Sequence, residues 1–169
     1  MAEPSAKNWV GKGAQSPEPY LLVVEDSDED FEVLTRILAK NCKASTPMKR
    51  CCDGDEALDF LYRKEDYTDI SLKRLPSVIL LDLNLPGTDG REVLAQLKQD
   101  EHLKVIPIVV FTTSSNPKDV DTCYRYGVNS YLLKQMDLKP LKQSVCLFMD
   151  YWLKTAVLPD TTLKNLKKV

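Results

Sequence analysis

The 169 residues suffice for one domain with a substantial core and fall short of two domains of ordinary size. Apolar residues make up 43% and charged residues 28%, a globular balance, and 25 acids against 23 bases exclude the positive field that nucleic-acid binding needs. Five cysteines (Cys42, Cys51, Cys52, Cys123, Cys146) show no CxxC spacing, the one histidine, His102, sits in a polar connection, and neither a signal-peptide core nor an apolar run of roughly 18 residues occurs. These features predict a soluble cytoplasmic protein with reduced thiols and no membrane span.

Met1 to Pro19 is aperiodic and rich in Pro, Gly, Ser and charge, so it reads as a flexible leader, with Trp9 and Val10 as a small apolar pair. Tyr20 to Val24 is a continuous apolar run, the pattern of a strand covered on both faces. It ends in Glu25 and Asp26. Ser27, with Asp30 three residues on, resembles a capping box for a helix carrying Phe31, Leu34 and Leu38. The acids after Asp26 suit a helix's first turn, where the macrodipole favours negative charge, and most of them need no other explanation.

Met48 to Cys52 is short and mixed, as an edge strand would be. Asp53 and Glu56 can cap the next helix, through Ala57, Leu58, Phe60 and Leu61. Arg63 to Pro76 is long for a loop of a compact domain and is expected to be partly helical or a surface excursion. Ser77 to Leu83 is the most apolar strand, interrupted by Asp82 and followed by the turn formers Asn84, Pro86, Gly87, Asp89 and Gly90. A helix with Val93, Leu94 and Leu97 on one side leads to the strand Ile106 to Thr112. Asn116 and Pro117 make an N-cap and first-turn pair for a helix ending near Gly127. Asn129 to Leu133 is the fifth strand, and Lys134 ends it. In the last helix Leu138, Leu141, Val145, Phe148 and Trp152 form one stripe expected on the sheet, and Cys146, Met149, Leu153 and Val157 form a second.

The alternation of short strands and helices implies a doubly wound α/β fold with a parallel sheet and right-handed crossovers. Its strand ends gather Glu25, Asp26, Asp82, Thr112 and Lys134 into one crevice, where such sheets bind ligands. Three crowded carboxylates need a raised pKa or a cation. With no His or Cys nearby, a hard ion such as Mg²⁺ is the natural candidate. Metal and lysine around one aspartate, with a threonine hydroxyl, suit a phosphoryl group carried on Asp82.

This constellation resembles the receiver domain of two-component response regulators, in Glu25-Asp26, LLDLNLPGTDG around Asp82, Thr112, and Tyr131-Leu-Leu-Lys134. The resemblance implies a flavodoxin-like (βα)5 sheet in the order 2-1-3-4-5. It divides the chain into a leader (1–19), a receiver domain (20–155) and a C-terminal tail (156–169). It implies Asp82 as phosphoacceptor, Mg²⁺ held by Glu25, Asp26, Asp82 and the backbone carbonyl of Asn84, and Lys134 pairing with a phosphoryl oxygen. Thr112 would turn toward the phosphoryl group and let the Tyr131 ring rotate from exposed to buried. The implied partners are a sensor histidine kinase and a downstream protein or phosphotransfer domain. Finer features (Glu56 to Leu61, the long segment before the third strand, MDYWL) are similar to the single-domain regulators that serve bacterial phytochromes. A homodimer through Cys146, Met149, Leu153 and Val157 is expected, and no enzymatic output beyond self-catalysed phosphotransfer and dephosphorylation.

Two departures stand out. Gln135 follows Lys134 where receivers carry proline, so a trans peptide is expected, and Thr113 is larger than the residue common at its position. Three other readings stay open: a degenerate receiver that binds partners without phosphorylation, a haloacid-dehalogenase-like phosphatase, and a flavin or nucleotide binder. The second lacks a general acid at Asn84, and the third lacks a glycine-rich phosphate loop.

Overall fold

The computed structural model describes residues 9–10, 19–41, 46–67 and 74–162. Five parallel strands, β1 (Leu21–Val24), β2 (Met48–Cys51), β3 (Val78–Leu81), β4 (Ile108–Thr112) and β5 (Ser130–Leu133), lie in the order β2-β1-β3-β4-β5. Five helices alternate with them: α1 (Asp28–Asn41), α2 (Gly54–Tyr62), α3 (Gly90–Gln99), α4 (Pro117–Arg125) and α5 (Leu138–Asp150).

The apolar strand runs bury both faces of the sheet, and successive residues feed two separate cores. Leu22, Val24, Ile79, Leu81, Ile108 and Val110 face α2, α3 and α4 through Phe60, Leu94 and Cys123. Leu21, Val23, Val78, Leu80, Val109 and Phe111 face α1 and α5 through Leu34, Leu38, Val145 and Phe148. Each fully buried aliphatic chain contributes about 1.5–3 kcal/mol. The sheet is thus clamped on both sides and its carboxyl edge left open.

Local signals act largely as expected. The Asp53 and Asn116 side chains accept from the N–H groups of Glu56 and Lys118, at 2.7 and 3.0 Å, and cap α2 and α4. The Ser27 hydroxyl accepts from the Asp30 N–H at 3.2 Å, but Asp30 does not return the bond. The Ser27 N–H donates instead to Glu25 at 3.1 Å, so the capping box is half made.

Four features depart from the sequence reading. The mixed β2 is buried throughout, with Lys49 at 2% and Arg50 at 9% exposure. Its outer edge is paired antiparallel with Trp9–Val10, two residues of the expected leader. The long segment before β3, by contrast, forms a short helical turn as expected, the 3₁₀ turn Glu65–Tyr67, and 68–73 lie outside the described residues. After α5 the chain makes a π turn, Tyr151–Thr155, and crosses back. Thr161, in the expected C-terminal tail, is fully buried: its hydroxyl donates to the Leu75 carbonyl at 2.8 Å, and its own carbonyl accepts from the Leu75 N–H at 2.9 Å.

The last helix also turns differently. Leu138, assigned to the sheet-facing stripe, is 65% exposed, while Met149, assigned to the outer stripe, is 1% exposed. The reason is that α5 packs on α1 as well as on the sheet, so a wider arc than one stripe goes inside.

Candidate functional site

Register across the middle of the sheet decides which side chains meet. Val24 pairs with Leu81, and the Asp82 N–H donates to the Val24 carbonyl at 3.0 Å, which puts Glu25 and Asp82 on adjoining strand tips. Thr112 pairs with Leu133, and the Lys134 N–H donates to the Thr112 carbonyl at 2.8 Å. Lys134 is thereby brought to the same edge.

Carboxylate oxygens of Glu25, Asp26 and Asp82 all lie within 4.8 Å of one another. Glu25 and Asp82 are buried and Asp26 is exposed. The Lys134 ammonium donates to Glu25 Oε2 at 2.6 Å, to Asp82 Oδ2 at 2.6 Å and to Asp30 Oδ2 at 2.8 Å. Burial opposes a charged ammonium here, but the hydrogen bonds to Asp30, Asp82 and Glu25 outweigh it and hold the lysine pKa above its ordinary value. Burial also pushes the Glu25 pKa up, against the pull of Lys134. Four carboxylates against Lys134 leave a surplus of negative charge, all on oxygen, with one carboxylate open to solvent. A divalent cation fits that donor set.

The loop after β3 holds Asp82 in place. The Asn84 N–H donates to Asp82 Oδ1 at 3.2 Å, so the carboxylate is bonded on both oxygens. Gly87 turns the loop at φ +67°, and a Cβ on Gly90 would run into the Asp82 carbonyl. The glycine lets the first turn of α3 lie against the backbone that carries Asp82.

Thr112 is fully buried, and its hydroxyl accepts from the Ser114 N–H at 3.4 Å. Tyr131 has its ring against the core, and its hydroxyl donates to the Ser114 carbonyl at 2.9 Å. The Ser114 hydroxyl in turn donates to Asp119, which accepts Arg91 Nε and Nη2 at 2.9 and 2.7 Å. Those contacts hold the Asp119 pKa below the usual carboxylate range. The peptide before Gln135 is trans, and Thr113 is exposed.

Two residues at the site carried no signal in the sequence. Arg50 reaches under the β1–α1 loop, donating to the carbonyls of Glu25 and Asp26 at 2.9 and 3.0 Å and to Asp28 at 2.6 Å, with Phe31 beneath its guanidinium. Asp30 keeps its place in the first turn of α1, and from there its carboxylate also bonds Lys134. Of the residues expected to face a second copy, Met149 belongs to the chain's own core and Cys146 and Leu153 pack against it. Val157 is fully exposed.

A parallel five-stranded sheet in this order, with three acids, a hydroxyl and a lysine on its carboxyl edge, defines a receiver domain. The chain belongs to that family: residues 21–146 match the model of the response regulator receiver domain. It is 42% identical over 144 residues to response regulator Rcp1 of Synechocystis, across 85% of this chain and 95% of Rcp1. The structure of the phosphorylated cyanobacterial phytochrome response regulator RcpA matches with a TM-score of 0.77 at 40% identity, across 85% of this chain and 99% of RcpA. Mn²⁺-bound Rcp1 matches at 0.76 and 41%, across 84% and 99%. The protein is therefore a response regulator of a two-component system, similar to phytochrome response regulators. The phosphatase and flavin readings fall with that membership. Among the described residues no helix is long and apolar enough to cross a membrane.

Proposed function

We propose that this receiver takes a phosphoryl group from a phosphohistidine of a sensor kinase onto Asp82, and that the kinase is of the phytochrome type. An Asp82 carboxylate oxygen forms the new P–O bond as the P–N bond to the imidazole breaks, and the imidazole nitrogen leaves with the electron pair and is protonated. The observation that carries this reading is the placement of Asp82: Lys134 Nζ is bonded to one oxygen at 2.6 Å, and carboxylate oxygens of Glu25 and Asp26 lie within 4.8 Å of its own. Glu25, Asp26, Asp82 and the Asn84 carbonyl would hold Mg²⁺, which neutralises phosphoryl oxygens during transfer. Lys134 then donates to a phosphoryl oxygen, and the Thr112 hydroxyl donates to another.

The pathway assignment is supported by the likeness to Rcp1 and RcpA. The protein works in the cytoplasm, catalyses no reaction beyond gain and loss of its own phosphoryl group, and passes its signal to a downstream protein or phosphotransfer domain. A second copy docks on α5. With Met149 inside the core, that contact would rest on Leu147, Tyr151 and Val157, which are 61%, 56% and 101% exposed.

Intact mass after incubation with a small phosphodonor tests the central step. The expected result is a single phosphoryl increment on the wild type that requires Mg²⁺ and is absent from Asp82→Asn. No increment in the wild type would make the protein a phosphorylation-independent binding module.

A further inference from the structure

Lys134 has three N–H groups and three acceptors: Glu25, Asp82 and Asp30. Two of these belong to the acidic cluster, and one of the two is the residue to be modified. Asp30 is neither. It stands on the first turn of α1, where its N–H is fixed by the Ser27 hydroxyl, and its carboxylate reaches across to β5.

We propose that Asp30 is a positioning residue for phosphoryl transfer: it holds one N–H of Lys134 so that the ammonium stays aimed at the oxygens on Asp82. A lysine side chain carries a compact charge on four flexible carbons and about 2 kcal/mol of rotamer entropy. When a cation draws the oxygens of Glu25 and Asp82 toward itself, two of the three bonds that place Lys134 weaken together. The bond to Asp30 comes from a separate element and does not depend on the cation. Phe111, with its ring centroid 5.8 Å from Nζ, stands against the same ammonium and limits its retreat. Asp30 therefore converts a mobile cation into a fixed one, the kind of preorganisation that accelerates transfer without touching the reacting atoms.

This inference rests on Asp82 as phosphoacceptor, and the test separates the two. In metal-free protein, hydrogen exchange of the Lys134 ammonium protons is followed by NMR. Asp30→Asn is expected to speed it about tenfold, and Asp30→Glu to restore the slow rate. With Mg²⁺ and a small phosphodonor, labelling of Asp30→Asn is expected to slow fivefold to tenfold, on a roughly 1.4 kcal/mol per tenfold scale, with an unchanged melting temperature. The loss should vanish in a Lys134→Ala background, since a residue acting through Lys134 has nothing to act on there. Wild-type exchange and labelling in Asp30→Asn, or an equal slowing with and without Lys134, would overturn the proposal. Faster exchange in Asp30→Asn, together with a wild type that takes no label, would instead retain the tether and remove Asp82 as acceptor.

Discussion

Arg50 illustrates how one side chain can carry a site without belonging to it. Its guanidinium bonds two backbone carbonyls of the acidic loop and is 9% exposed. Its loss leaves buried carbonyls without donors, a penalty of about 2–4 kcal/mol. Arg50→Met should lower the urea midpoint accordingly and weaken Mn²⁺ binding, read by equilibrium dialysis, because Glu25 and Asp26 lose their fixed separation. Glu56 works in a similar way from the first turn of α2. It accepts from the Cys52 N–H at 2.6 Å, the Tyr67 hydroxyl at 2.7 Å and Lys49 at 3.3 Å. Burial alone would raise its pKa, and those contacts outweigh burial and lower it. A depressed carboxylate pKa gives stability that is present above the unfolded value and lost as pH falls through the folded one. Glu56→Gln should therefore cost about 2–3 kcal/mol at pH 7, and the gap from wild type should close as pH drops below about 4. Neither partner set is readable from the sequence, because Arg50 and Lys49 look like ordinary polar residues of an edge strand.

Among elements, strands, caps and the inner faces of α1, α2 and α3 were legible, and the face of α5 was not. The runs at Leu21–Val24 and Val78–Leu81 announce themselves because strands in the middle of a sheet covered on both sides are apolar nearly throughout. Asp82, Thr112 and Lys134 break or end such runs, so the carboxyl edge is legible residue by residue in the sequence. α5 misled because a stripe at three and four residue spacing assumes one neighbour, and this helix has two. The same logic hid Asp30: as a first-turn acid it already had a sufficient local reason. The corrected face of α5 leaves Leu147 and Tyr151 outward. If a second copy covers them, Leu147→Glu should weaken self-association by tenfold or more, since burying one leucine contributes about 1.5–3 kcal/mol. Sedimentation over a concentration series reads this directly, and an unchanged profile would remove α5 from the interface.

At the scale of the whole molecule, the acidic edge and the fold's stability are linked. Crowding Glu25, Asp26 and Asp82 costs free energy that a bound cation returns, and a ligand that binds the folded state alone stabilises it by about 2.7 kcal/mol at one hundred times its dissociation constant. For a chain of this size that corresponds to a rise in melting temperature of roughly 5–10 °C. Mg²⁺ at that excess should produce it in the wild type, and Asp26→Asn should lose most of it. An equal shift in both would place the ion elsewhere.

The spread of the site along the chain has one more effect. Glu25 and Lys134 touch across 109 positions, and β5 is the last strand of the sheet. A ribosome therefore releases the acidic tips well before the lysine that balances them. Until β5 docks beside β4, an emerging chain presents uncompensated carboxylates and no completed acceptor. With Asp82 as the proposed acceptor, competence to receive a signal waits for β5 to dock, so a half-made copy draws no phosphoryl group away from finished ones.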